Sequence, residues 1–457
     1  MDIVASLMDC RKFFDSGITR PYAFRKAQLQ KLRDAILQHE DEIYAALYSD
    51  LKKSPEECWV TENGMALAEI NYCLSHLHQW MQPEKKSTNL LNFGSSSYVY
   101  KEPLGVVLII GPWNYPFQLM IKPLVGAIAA GNVAVLKPSE FAPATAALLK
   151  KMMAAIFEPQ YVLWIEGDGA EMVTAMMNNF AFDHVFFTGS TPVGKAVYQM
   201  AAQHLTPVTL ELGGKSPCIV EADADIKVAA KRIVVTKFSN TGQMCIAPDY
   251  ILVHQSVKEK LVAALIDMIK SFYGANAMES ENFGKIINER QFNRLLTLMQ
   301  HGTLAYGGNH SREQLFIEPT LFTDIRIEHP IMQQEIFGPL LPIISFSNKD
   351  EALQVVKEHK NPLAFYLFTS GRGNEKFWLE QVSFGGGCIN NASYHFTNHH
   401  LPFGGRGASG MGKYHGWYSF QNFSHSKSVM KTPTWMDPAV KYPPFKGKLK
   451  LFKWVIR

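Results

Sequence analysis

Residues 25–51, RKAQLQKLRDAILQHEDEIYAALYSDL, keep apolar side chains at helical spacing, and residues 65–81 continue the pattern with Ile70, Leu74 and Leu77. This predicts amphipathic surface helices interrupted at Ser54-Pro55. From Leu104 the rhythm changes: LGVVLII, VAVLK, YVLWI, HVFF and VTLEL are short apolar runs, separated by helix-length segments such as 117–130 and 143–157. Strand and helix alternating in this way imply a doubly wound, mainly parallel α/β sheet, whose ligands sit at the carboxyl ends of the strands. A second alternating series covers 217–390, with strand-like runs at YILV, FIEPTLF, LLPIISF and AFYLFTS, and predicts a second α/β domain. The polar, aromatic segments 87–100 and 391–426 extend neither series. Their composition suits strands that leave the domain body and pair with another subunit.

With 457 residues, 47% of them hydrophobic, the chain can bury a large core in roughly two or three domains. A formal charge of +4 is too small to point to nucleic acid, and no block of Lys and Arg is interleaved with aromatics. The cysteines at 10, 58, 73, 218, 245 and 388 are scattered, with no CxxC pair, and the start Met1-Asp2-Ile3-Val4 carries no secretory signal. These features predict a reducing compartment, the cytoplasm. No apolar run reaches the length of a transmembrane helix.

Several short stretches suit chemistry, each with a plainer alternative. In SNTGQMC, a turn-forming segment with Gly242 delivers Cys245, which is either presented as a nucleophile or an inert loop thiol. GPWNYP follows the first strand and fixes Asn114, whose amide could fill an oxyanion hole or satisfy loop backbone. KPSE puts Lys137 and Glu140 at the next strand end, either to grip ribose hydroxyls or as a surface lysine and a helix-start glutamate. FTGSTPVG lays Gly189, Ser190 and Gly194 across a strand-to-helix turn open to a pyrophosphate, without the usual GxGxxG. VTLELGGKSP ends a strand in Glu211, where desolvation would raise its pKa and fit it for proton transfer; its plain role is a partner for Lys215. QQEIFGP sets Glu335 near Phe337, either to hold a ribose and cover a flat heterocycle or as a capping turn.

Taken in order, GPWNYP, KPSE, FTGSTPVG, LELGGKSP, NTGQMCIAPDY, EIFGP and LPFGGRGASGMG give a chain that resembles the aldehyde dehydrogenase superfamily over residues 25–426. The short amino terminus, the form of GPWNYP, APDY after the cysteine and the YPPF tail are similar to its fatty and aromatic aldehyde branch. The resemblance implies a Rossmann-type dinucleotide-binding domain (1–84 and 104–210), a catalytic domain (211–390), bridging and oligomerisation segments (85–103 and 391–426) and a tail (427–457). It also implies oxidation of medium- and long-chain or aromatic aldehydes to carboxylic acids through a cysteine thiohemiacetal and thioester. Cys245 would be the nucleophile, and Asn114 with the backbone N–H of Cys245 the oxyanion hole. Glu211 would be the general base, with Glu335 close enough to share that role. Lys137 and Glu140 would hold the adenosine ribose, Gly189, Ser190 and Gly194 the phosphates, and Glu335 and Phe337 the nicotinamide end. Glu140 would repel a 2′-phosphate, favouring NAD, with NADP tolerated. A homodimer is expected from the branch.

A metal site is not indicated, and His399-His400 suits loop surface better than a ligand pair. Trp113, Tyr115, Phe238, Tyr394 and Phe396 neighbour the motifs and suggest an apolar substrate pocket. The tail KYPPFKGKLKLFKWVIR is basic and apolar, so it could cover a substrate entrance, make weak peripheral contact with an anionic membrane, or pack on its own subunit. Two other functions fit the fold: a dehydrogenase in which coenzyme A resolves the thioester, opposed by the retained Glu211, and a binding protein without turnover.

Overall fold

A computed structural model describes residues 2–456, so Met1 of the amino-terminal segment and Arg457 of the tail lie outside the described residues. The helical pattern at 25–51 is two helices, Tyr22–Gln38 and Glu40–Leu51, broken at His39. Leu29, Leu32 and Ile36 face the core from the first, and Ile43, Leu47 and Leu51 from the second, so the apolar spacing runs on across the break. Glu40, Asp41 and Glu42 crowd the second start, where the helix dipole favours negative charge. Left-handed Lys52 (φ 56°) ends it. Ser54 then caps the short helix Pro55–Cys58, its side chain accepting from the Glu57 N–H, with Pro55 in the first turn. The π-helical turn Trp59–Asn63 leads into the helix Gly64–Trp80, and Glu62 and Asn63 are buried by that wider turn.

The first sheet has the strand order Gly410–Met411, Val208–Glu211, His184–Thr188, Val106–Ile110, Val133–Lys137, Val162–Trp164. All neighbours run parallel except Gly410–Met411. Val106–Ile110 and Val133–Lys137 are buried at every residue, which is why these strands read as unbroken apolar runs. From Val106–Ile110 the chain first adds strands on one side and then crosses to His184–Thr188 on the other. The switch point lies between those two strands, and the loops leaving their carboxyl ends are GPWNYP and the turn at Gly189.

The second sheet has the order Thr303–Tyr306, Thr320–Thr323, Leu340–Phe346, Tyr250–His254, Pro217–Val220, Ala364–Phe368, Gly386–Ile389, parallel but for the first strand. FIEPTLF divides: Phe316–Ile317 pairs in a hairpin with His310–Ser311, and only Thr320–Thr323 joins the large sheet. Pro319 between them cannot donate to a ladder.

A third, antiparallel sheet is built from Glu84–Lys86, Ser96–Pro103 and Ser424–Lys431. Of the predicted segment 391–426 only the last residues belong to it, and the strand runs on into what the sequence assigned to the tail. The rest of that segment returns to the body: Gly410–Met411 pairs beside Glu211, and the helix Trp417–Asn422 packs on Gln118–Ala130. The tail ends in the helix Leu449–Val455, with Leu449, Leu451, Trp454 and Ile456 exposed. Among the described residues no helix is long and apolar enough to cross a membrane.

Candidate active site

The helix Ile226–Phe238 ends in a tight turn, Ser239–Gly242, in which Asn240 (φ 48°), Thr241 (φ 55°) and Gly242 (φ 72°) are successively left-handed. This conformation costs about 1–3 kcal/mol per non-glycine residue and persists only where the surroundings over-determine it. They do so here. The Glu57 carboxylate accepts from the Asn240 N–H at 2.7 Å and the Ser239 hydroxyl at 3.2 Å. The Gln243 amide donates to the carbonyls of Asn240 (3.1 Å) and Lys285 (2.9 Å) and accepts from the Ile287 N–H (3.0 Å). A Cβ at Gly242 would overlap the Gly338 carbonyl, so only glycine lets the two loops meet. The turn delivers Cys245 half-buried at the wall of a cavity of about 320 Å³.

Glu211 lines the same cavity. It closes the strand Val208–Glu211, is 3% exposed, and neither carboxylate oxygen has a hydrogen-bond partner. Burial raises its pKa well above the ordinary carboxylate value. Lys215, its plain alternative partner, is ion-paired with Asp249 instead. Asn114 is buried behind the nucleophile loop, where its Nδ2 donates to the Gln243 carbonyl at 3.0 Å. That bond uses one of two N–H groups and ties the amide to a residue two positions from Cys245.

Glu335 is partly buried and reaches the site from the second sheet. A Cβ at Gly213 would overlap its carboxylate, so the Gly213-Gly214 pair makes room for it. Burial, and then the negative charge of Asp249, push Glu335 up to about 8; the Gly214 backbone, Lys215 and Arg294 oppose the shift. The Cys245 thiol is pushed up as well, by burial first and then by the Glu335 and Glu211 carboxylates. The EIFGP loop is held by Arg294, which donates to the carbonyls of Glu335 (3.2 Å) and Ile336 (2.5 Å). Asp249 accepts from the Ile336 N–H at 2.9 Å. Phe337 is left-handed (φ 47°) and meets Trp113 edge to face at 5.2 Å.

At the carboxyl edge of the first sheet, Lys137 is 2% exposed and donates to the Pro138 carbonyl (2.6 Å) and to the exposed Glu140 (3.4 Å). A Cβ at Gly189 would contact the Phe187 ring, and one at Gly194 the Leu212 side chain. Ser190 precedes the helix Thr191–Ala202 without a side-chain cap, so the first N–H groups of that helix are open.

Of the aromatic residues expected at the pocket, Tyr115, Tyr394 and Phe396 line the cavity. Phe238 is instead fully buried in the core, edge to face with Tyr273, and Trp113 lies against Phe337. The cavity mouth carries exposed Val60, Val235 and Tyr394. Its floor holds Tyr414, His415 and Lys122, with His415 Nε2 3.1 Å from Lys122 Nζ. None of the three was singled out from the sequence; Lys122 sits in an apolar helix pattern, and its isolation there was the available signal. His399 and His400 contact Glu69 (2.9 Å) and Tyr72 (3.3 Å), and no group of potential metal ligands occurs among the described residues.

Compared with known proteins, residues 4–429 match the model of the aldehyde dehydrogenase family. The chain is similar to 4,4'-diaponeurosporen-aldehyde dehydrogenase of Staphylococcus aureus, 46% identical over 97% of each chain. It is also similar to aldehyde dehydrogenase family 3 member H1 of Arabidopsis thaliana, 45% identical over 97% of this chain and 93% of the relative. The solved structure of Staphylococcus aureus AldH in its substrate-bound state is 44% identical, covers 100% of both chains and superposes with a TM-score of 0.98. With the α/β fold, the cysteine loop and the shared cavity already described, these matches establish an aldehyde-oxidising oxidoreductase: the chain belongs to the aldehyde dehydrogenase family.

Proposed function

We propose that this chain oxidises long-chain and aromatic aldehydes to carboxylic acids with NAD as hydride acceptor, using Cys245 as nucleophile, Asn114 as oxyanion donor and Glu211 as base. The observation that carries the reading is that Cys245 and an unpartnered, buried carboxyl share one apolar cavity. Exposed Val60, Val235 and Tyr394 at its mouth suit an alkyl or ring substrate entering from solvent. A long conjugated aldehyde, as in the name of the Staphylococcus aureus relative, falls in that class.

In the first half of the reaction the Cys245 thiolate forms a C–S bond to the aldehyde carbon, and the carbonyl electron pair moves to oxygen. The free Nδ2 N–H of Asn114 and the backbone N–H of Cys245 donate to that oxyanion, stabilising charge where it develops. The oxyanion then collapses, the carbon loses hydride, and a thioester remains on Cys245. In the second half Glu211 takes a proton from water, the hydroxide adds to the thioester carbon, and the C–S bond breaks to return the thiolate. Glu335 lies beside Gly213, outside the cavity wall, which favours Glu211 as the base.

A nicotinamide dinucleotide supplies the hydride acceptor when bound. The residues present fit one: Gly189 has no room for a side chain, the helix Thr191–Ala202 offers open N–H groups, and Glu140 presents an exposed carboxylate beside Lys137. Glu335 and Phe337 would meet its nicotinamide end. Glu140 favours NAD over NADP by repelling a 2′-phosphate.

We assign the first sheet to dinucleotide binding and the second to catalysis. The three-stranded sheet, whose Ser424–Lys431 strand is exposed along most of its length, would serve dimerisation. Unpaired cysteines suit the cytoplasm, and a weak membrane contact would have to use the apolar face of Leu449–Val455. The reading is tested by following reduced-cofactor absorbance with hexanal, dodecanal and benzaldehyde, each with NAD and NADP, for the native chain and Cys245→Ala. Reduction that depends on Cys245 supports it; no oxidation of any aldehyde under reducing conditions overturns it. Dependence on added coenzyme A would instead favour the acylating alternative.

A further inference from the structure

The loop that carries Asn114 is gripped from behind by a charged pair that lies outside every motif. Lys53 and Glu62 are both fully buried and meet at 2.6 Å. Lys53 comes from the break between left-handed Lys52 and the Ser54 cap, and Glu62 from the π-helical turn Trp59–Asn63. Lys53 Nζ donates to the Asn114 carbonyl at 3.3 Å and lies 3.9 Å from the centre of the Tyr115 ring. The second Glu62 oxygen accepts from the Gln118 N–H at 2.9 Å, at the start of the helix Gln118–Ala130. One ion pair therefore holds both ends of the segment 114–118.

The same segment is coupled to the nucleophile loop. The Asn114 carbonyl also accepts from Asn240 Nδ2 at 2.7 Å, and Asn240 Nδ2 and Asn114 Nδ2 both donate to the Gln243 carbonyl at 3.0 Å. Fold stability alone does not call for such a pair. The attraction between two buried charges is largely cancelled by their desolvation, and apolar residues of similar volume are often as stable. The Asn114 carbonyl already has a neutral donor in Asn240. What the ammonium adds is a fixed point, shared by the Asn114 carbonyl, the Tyr115 ring and, through Glu62, the helix start.

We propose that the Lys53–Glu62 pair is a positioning device, which sets Asn114 Nδ2 where the oxyanion forms and thereby sets the rate of attack by Cys245. This rests on the reading of Asn114 as oxyanion donor. Neither residue lines the cavity, so the pair acts only through the loop. Val60 and Thr61, from the turn that carries Glu62, do line it, and the pair therefore ties the cavity mouth to the reacting centre.

The test is a double-mutant cycle on the first-turnover rate of reduced-cofactor formation, with the full chain, NAD and dodecanal. Lys53→Met with Glu62→Gln removes both charges and leaves the Gln118 N–H an acceptor. In the native background these substitutions are expected to slow the first turnover about 10–100-fold, since displacing a donor by about 1 Å or losing it costs on that order. The KM for aldehyde should stay within about 3-fold, and Cys245 should be alkylated by iodoacetamide at the native rate. In an Asn114→Ala background the same substitutions should change the rate by less than about 3-fold, because the group they position is gone. An equal fall in both backgrounds, or no fall in the native one, overturns the proposal. If Asn114→Ala alone keeps the native first-turnover rate, the oxyanion reading itself fails and the positioning role fails with it. Should the first pair not fold, Lys53→Gln with Glu62→Gln is carried through the same cycle, with the same deciding outcomes.

Discussion

Replacing Glu211 with glutamine separates the two halves of the reaction. Neither Glu211 oxygen is hydrogen-bonded, and burial favours the neutral form of the group, so the substitution breaks no bond and should change stability by no more than about 1 kcal/mol. The effect on turnover is of another order. Among the described residues Glu211 is the sole acid lining the cavity, so the water that attacks the thioester loses its base. A positioned general base contributes about 10²–10⁴ in rate, which corresponds to about 2.7–5.4 kcal/mol of barrier. Rapid mixing with dodecanal and NAD should give a burst of about one reduced cofactor per active site, followed by turnover slowed by that factor. Intact-mass analysis of the burst product should find the acyl group on Cys245. Steady-state turnover within about 3-fold of native would refute the assignment and move the base to Glu335.

Three further outcomes follow from the same geometry. Because folding raises the Glu335 carboxyl to about 8 from its ordinary value of 4.5, the folded state keeps a proton that the unfolded chain loses, and its stability falls as pH rises through that window. At about 1.36 kcal/mol per pH unit the loss is at most about 5 kcal/mol, an upper bound because the group keeps some solvent contact; Glu335→Gln should gain on native in urea unfolding between about pH 5 and 8, and parallel curves would refute this. Glu140→Gln should raise the NADP to NAD ratio of kcat/KM by about 10-fold, judged from the loss of one like-charge repulsion beside the ribose; an unchanged ratio would place the 2′ position elsewhere. Deleting residues 446–457, which removes the exposed apolar helix Leu449–Val455, should alter kcat/KM for dodecanal more than for hexanal, and equal effects would exclude a substrate gate.

The parallel strands were legible because burial on both faces leaves continuous apolar runs such as Val106–Ile110, and the loops at their carboxyl ends follow from the topology. The helix break at His39 was not legible, since the apolar spacing continues across it. FIEPTLF reads as one strand although Pro319 divides it between two sheets, which the proline alone could have signalled. Cys245 and Glu211 sit in motifs that announce themselves. The groups that hold them do not: Glu57 and Glu62 come from short helical turns and Lys53 from the break before them, a stretch that reads like any charged surface, and only the fold brings them under the segments 111–118 and 239–245. Phe238 and Trp113 were assigned to the pocket by sequence proximity, but a helix end and a loop each send neighbouring side chains in different directions.

Cys245, Glu211 and Glu335 form a group in which burial favours the neutral form of every member, and the carboxylates add to the shift of the thiol. Their titrations are therefore coupled, and a pH profile of turnover will report the set more than any one residue. In such a site, creating a thiolate by sending its proton to water would set a new charge among apolar walls. Passing that proton to an ionised carboxylate of the set only moves an existing charge within the site, at much lower cost in desolvation, and with Glu335 in that role the thiolate still forms in the Glu211→Gln variant. When the thioester forms, the charge leaves the site with the hydride, so the carboxyl must give its proton to solvent before Glu211 can take one from water. One negative charge, shared in turn by a carboxylate, Cys245 and the oxyanion held by Asn114, is then enough for the first half of the reaction, and loss of the carboxyl proton opens the second. Activity should accordingly rise with pH above the ordinary carboxylate range, as the first proton leaves the set, in the window where the folded protein loses stability for the same reason.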